Sequence, residues 1–166
     1  MTQIEGVTLA SRSDWTVLRP LLFESIGQTL EMVLVTMIVG GILGLVLGVV
    51  LYGTRPGNLF ENAVVYRILD VIVNIIRPIP FIIFLAAMQP LTIKVIGTSI
   101  GTAAAIFPMI IMCTMATSRL VEQNLVPVDS GVIEAARAMG ASKFTIVRTV
   151  LIPEALAPLI LAYAFL

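Results

Sequence analysis

Charged residues divide this chain into uncharged apolar runs. Met32–Thr54 gives 23 residues between Glu31 and Arg55, and Val95–Ser118 gives 24 between Lys94 and Arg119. At about 1.5 Å per residue, each makes about 35 Å of helix, enough to cross about 30 Å of hydrocarbon. Pro78–Ile93 has only 16 residues. That span must draw in Val71–Ile76, which makes Arg77 partly intramembrane. Ala155–Leu166, with 12 residues, is too short to cross. A backbone in lipid must satisfy its own hydrogen bonds, and these runs lack the polar–apolar alternation of a barrel strand. The pattern predicts an all-α, polytopic membrane helical bundle with three full spans plus the start of a fourth. The spans fall at about 28–52, 70–92, 97–118 and 154–166, in one domain incomplete at its C-terminal end.

Composition strengthens this picture. The 166 residues are 58% hydrophobic and 12% charged, with a mean hydropathy of +1.05. A soluble core of this size cannot hide so much apolar side chain. Ten basic and ten acidic residues cancel, which speaks against a nucleic-acid partner. There is no His, and the single Cys113 lies inside an apolar run. Histidine catalysis, Cys/His metal sites and intrachain disulfides are excluded, and no cofactor is expected. Cys113 reads as a small hydrophobe in a helix. The first 25 or so residues, with Arg12, Asp14, Trp15 and Arg19, lack the basic-then-apolar order of a signal peptide.

Orientation follows from the Lys and Arg residues. With the N-terminus outside, the inner side receives Arg55, Arg67, Arg77, Arg119, Arg137, Lys143 and Arg148. The outer side keeps Arg12, Arg19 and Lys94. Segments 53–68 and 119–153 are then expected to be cytoplasmic. Glu31, Asp70 and Arg77 stand near span ends and read as interfacial anchors.

Within the spans, Gly40, Gly44 and Gly48 recur at spacing four and should let another helix approach closely. Gly97 and Gly101 are expected to form a second such pair. Pro108 should kink its span. Arg77-Pro78-Ile79-Pro80 removes two backbone donors within three residues and predicts a broken helix start. Arg77 and Pro80 are candidate gate or pathway residues. The alternative is an interfacial Arg whose side chain reaches for water, with proline in the first helical turn.

Residues 119–153 form the longest polar stretch after the first span. Asp129 or Ser130 can cap one short helix, Gly140 can end it left-handed, and Ser142 can cap a second. Phe144, Val147, Val150 and Leu151 are spaced to share an apolar face, and Pro153 should open the fourth run. The helix–turn–helix outline suggests DNA binding, but Arg137, Lys143 and Arg148 against Glu134 give little excess charge for a phosphate backbone. Two short helices offering Glu134, Ala135, Ala136 and Gly140 as a small-residue surface fit better, since a protein cleft can close around them.

That segment resembles the EAA loop of ATP-binding cassette importer permeases. The match runs through Glu134-Ala135-Ala136, Gly140 after three residues, and Val150-Leu151-Ile152-Pro153 after nine more. A second likeness, to the methionine-type permeases, runs through Tyr52-Gly53-Thr54-Arg55-Pro56-Gly57, Ile72–Ile83, Ile96–Gly101 and Ile133–Ala141. The resemblance implies a five-span bacterial inner-membrane subunit that works as a pair. Glu134, Ala135, Ala136, Arg137, Gly140 and Pro153 would belong to a coupling helix seated on a separate ATPase subunit. A substrate-binding protein or lipoprotein would deliver methionine from outside. The chain has no Gly-rich phosphate loop followed by Lys-Ser/Thr, so hydrolysis falls to the ATPase. A permease for another amino acid or short peptide, or a truncated fragment that does not transport, are the alternatives.

Overall fold

The longest element is a rod of two α-helices joined by a π turn. In the computed structural model, which describes residues 15–164, α1 (Trp15–Val35) runs through the turn Thr36–Gly40 into α2 (Gly41–Thr54) without a break. Leu18–Thr54 spans 37 residues, about 55 Å, well beyond a bilayer core. The helix that carries the first span is already formed at Trp15, 13 residues before the predicted span start near residue 28. Two of the polar groups in this stretch bond along the helix itself. Gln28 Nε2 donates to Glu24 Oε1 at 3.3 Å, and Thr29 Oγ1 donates to the Ser25 carbonyl at 2.7 Å. Arg12 and Asp14 lie outside the described residues.

The second predicted span is not one straight crossing. It consists of α3 (Ala63–Ile76) and α4 (Phe81–Ile96), bent by 115°. Pro78 and Pro80 have no N–H to continue the helical ladder. The Ile79 amide bonds the Ile76 carbonyl at 3.1 Å in a tight turn, and the Pro80 carbonyl then accepts from Ile83 and Phe84 to start α4. Asn62 caps α3 by accepting from the Val65 amide at 3.1 Å.

Gly97 and Gly101 do not pack helices together. Their φ angles are +90° and +105°, and a side chain at either would meet nothing within 4 Å. They make the reversal from α4 into α5 (Thr102–Leu125), a conformation only glycine adopts freely. Helix α5 passes Pro108 unbroken and ends seven residues beyond the predicted Ser118. Next come α6 (Ser130–Ala138), α7 (Lys143–Ile146), a second π turn (Val147–Leu151), α8 (Ile152–Glu154) and α9 (Leu156–Ala164). Lys143–Glu154 and Leu156–Ala164 meet at 64°. Pro153 thus lies before the bend and does not open the fourth run, which starts at Leu156. Phe165 and Leu166 are outside the described residues. Among the described residues, Leu18–Thr54 and Thr102–Leu125 are long and apolar enough to cross a membrane; counting each bent pair as one span gives four.

The glycine stripe on the first rod is the central contact. A Cβ added to Gly40 would sit 2.8 Å from Cys113 Cβ, one at Gly44 2.5 Å from Thr117 Cβ, and one at Gly48 2.5 Å from Val121 Cβ. Both rows advance by four residues, so α2 and α5 lie ridge against ridge with backbone nearly in contact. Two hydrogen bonds reinforce the upper end. Thr114 Oγ1 donates to the Gly40 carbonyl at 3.5 Å, and Tyr163 Oη to that of Gly41 at 2.8 Å, which also brings in α9.

Gly44→Ala should lower stability by about 1–3 kcal/mol through overpacking, measured by thermal unfolding of purified protein in detergent. Gly27→Ala, whose added methyl meets nothing, should be neutral or stabilising. Equal behaviour of the two variants would contradict this account of the stripe.

Candidate functional site

The α6–α7 segment is built from local signals. The Asp129 carboxylate accepts from the Gly131 amide at 2.8 Å and caps α6. At the other end Gly140 adopts φ +80°. Its amide donates to the Arg137 carbonyl at 2.9 Å, and the Ala141 amide to that of Ala136 at 3.1 Å. This is the paired closure of a left-handed glycine cap. Ser142 Oγ accepts from the Thr145 amide at 3.2 Å and starts α7 at once. The turn between the helices is short because cap follows cap.

One face of this segment is pinned to the bundle. Ile133 and Ala136 of α6, with Ile146, Val147 and Leu151 beyond, are buried against Tyr52, Leu59, Val121 and Leu125. Ala136 therefore does not belong to the presented surface expected of it. It lies three residues from Ile133, on the inner face, where a longer side chain would lift α6 away. Phe144 departs from expectation in the other direction. It is 72% exposed, and the buried face is carried by Ile146, Val147 and Leu151, with Val150 at its margin. The outer face comprises Glu134, Ala135, Arg137, Gly140 and Met139, which is 81% exposed. Pro153 is also exposed. Spacing alone puts Phe144 on the apolar face and gives Met139 no role, because either side chain fits a buried helical face until the surface beneath it is known.

Beneath this platform lies an ion cluster. Arg119 Nη1 contacts Asp70 Oδ1 at 2.9 Å and Glu122 Oε2 at 2.6 Å. Tyr66 Oη donates to Glu122 Oε1 at 3.4 Å, and Arg55 Nη1 stands 3.7 Å from the same oxygen. Glu122 is only 2% exposed. Burying a carboxylate is costly unless it is paired, and here two cations and a hydroxyl surround it. Asp70 is thus a partner of Arg119 and not a solitary anchor. The signal for the cluster was Arg119 and Glu122 at spacing three, hidden because the helix was expected to stop at Ser118.

Arg77 and Pro80 are at the α3–α4 bend. Both are exposed, and Arg77 makes no ion pair among the described residues. The structure does not bring them into the core that holds α6 and α7. Among the described residues no three His, Cys, Asp or Glu side chains gather as a metal set.

Residues 40–165 match the family model described as the inner membrane component of binding-protein-dependent transport systems. The chain is 48% identical over 140 residues to the D-methionine transport system permease protein MetI of Salmonella typhi, and likewise to that of Escherichia coli strain K12. Each alignment covers 84% of this chain and 64% of the relative. The chain thus spans a little under two thirds of the length of these curated relatives. A solved structure of an inward-facing conformation of the MetNI methionine ABC transporter, in its native crystal form, superposes with a TM-score of 0.85. It is 46% identical, over 89% of this chain and 68% of that one. A second crystal form gives 0.82 at 47% identity, over 87% and 67%.

Gly140→Ala should cost about 1–2 kcal/mol, because a Cβ is unfavourable at this φ, while Gly140→Asn should cost less because Asn tolerates the left-handed region. Hydrogen exchange at the amides of 140 and 141 checks this. Their protection should fall in the Ala variant and persist in the Asn variant.

Proposed function

The chain belongs to the binding-protein-dependent transport system inner membrane component family, and from that premise we propose that it is the permease part of an ATP-driven importer of methionine. The observation that carries the proposal is the two-sided α6–α7 segment. Its inner face is fixed to the ends of α2 and α5 by buried apolar side chains, and its outer face displays Glu134, Ala135, Arg137, Met139 and Phe144. A short, firmly mounted helix pair with small and apolar residues outward suits a groove of an ATPase subunit. Closure of two ATPase subunits would move it as a rigid body and so move the helices beneath.

In this reading ATP is hydrolysed by that partner and not by this chain. A second copy completes the pathway, and a substrate-binding protein or lipoprotein delivers methionine. The N-terminus lies outside and α6–α7 in the cytoplasm, the arrangement that places seven of the ten Lys and Arg residues inside. Apolar residues such as Phe23, Ile82 and Ile160, exposed on the monomer, then face lipid or the second copy. Methionine is preferred as substrate because the similar proteins are named for its D-form, or for methionine, and the likeness extends over most of this chain.

Glu134→Lys and Met139→Asp, both on the exposed face, should abolish capture of the ATPase subunit and stop ATP-dependent uptake. Retention of both properties in both variants would sink the coupling role. Uptake of labelled methionine should be competed by each methionine enantiomer. Competition by unrelated amino acids or short peptides alone would replace methionine with another substrate.

A further inference from the structure

The ion cluster does more than neutralise a buried acid. Helix α3 is thinly held: Val73 is its one buried residue among those described. Its inward stripe runs Tyr66, Asp70 and Val73, and the first two reach α5 through polar atoms. Among the described residues, Asp70–Arg119 is the sole ion pair joining α3 to α5. Helix α3 leads directly to the Arg77–Pro80 turn and its 115° bend. On the other side, Arg119 and Glu122 share their helix with Val121 and Leu125, on which α6 and α7 are mounted. The cluster therefore lies between the mounting of α6–α7 and the bend.

Its geometry suits a joint that can open. Both carboxylates contact the same nitrogen, Arg119 Nη1. If α3 moves away, Tyr66 leaves with it, but Arg119 keeps Glu122 and Arg55 stays beside the same carboxylate. Asp70, itself 27% exposed, and the half-buried Tyr66 hydroxyl lose their partners, and both can be rehydrated. The buried acid is never left alone, so opening avoids the large penalty of an isolated buried charge.

We infer that Asp70 and Arg119 form a breakable joint that passes movement of the α6–α7 segment to the α3–α4 bend, which makes them positioning residues for translocation. The inference rests on the transport reading above. The test uses the assembled transporter in proteoliposomes and counts substrate moved per ATP hydrolysed. Asp70→Asn keeps the shape and removes the charge. It should assemble with the ATPase and hydrolyse ATP, yet transport at least about fivefold less per ATP, the lower range of a typical coupling energy. Asp70→Glu restores the charge and should recover most of that ratio.

An unchanged ratio in Asp70→Asn overturns the joint. So does equal loss in Asp70→Glu, which would mean that shape and not charge matters, and so does failure of Asp70→Asn to assemble, which would mark a purely structural pair. Absence of ATP-driven uptake by the unaltered transporter is a different failure: it removes the transport reading, and the joint with it.

Discussion

Everything at the polar end of this bundle depends on how closely α2 and α5 approach. Three glycines on one helix face Cys113, Thr117 and Val121 on the other, each separated by less than an added methyl would need. In lipid there is no hydrophobic drive between helices, so close backbone contact must supply the attraction through dispersion. This contact fixes where the two helices end. Tyr52 and Thr54 then come level with Val121 and Leu125. That shared end is the floor on which α6, α7 and the second π turn rest, and it sets Arg55 beside Glu122.

The segment above this floor is held by two different kinds of bond. Apolar burial of Ile133, Ala136, Ile146, Val147 and Leu151 is broad and non-directional. Lys143 adds a contact to the loop before α3, with Nζ 5.6 Å from the centre of the Phe60 ring. The tie from α5 to α3 is narrow and polar. One attachment resists separation over its whole area; the other can let go at a point. Such an arrangement moves α6–α7 together with α5 and lets α3 shift relative to both.

Much of this was legible in the chain. The helical class, the two long apolar helices and the caps at Asp129, Gly140 and Ser142 follow from run length and from residues with one strong local preference. The stripe Gly40–Gly44–Gly48 was visible because spacing four has a direct meaning on a helix. Gly97 and Gly101 show the limit of that rule. The same spacing in a connection places the residues in a turn, where backbone angle and not proximity selects glycine. The helix ends were misjudged at Arg19–Glu31 and at Arg119–Glu122 for a common reason. A charged residue reads as a span boundary, yet the helix continues through both sets, and the second is paired with Asp70, Tyr66 and Arg55. Inward and outward positions on α6–α7 depend on what lies beneath, and Ala136 and Phe144 were misplaced for want of it.

The π turn at Thr36–Gly40 carries one further consequence. An α-helix advances about 100° per residue, and a π turn absorbs one residue more than the regular frame allows. The half of the rod before Thr36 is therefore out of phase with the half after Gly40. The stripe that serves α5 does not continue straight up the rod. The buried Thr36 hydroxyl, which finds no partner among the described residues, marks where the phase changes. The two halves thus aim at different neighbours, and loss of a single residue within the turn would swing the entire N-terminal half to a new heading while leaving the glycine contact where it is.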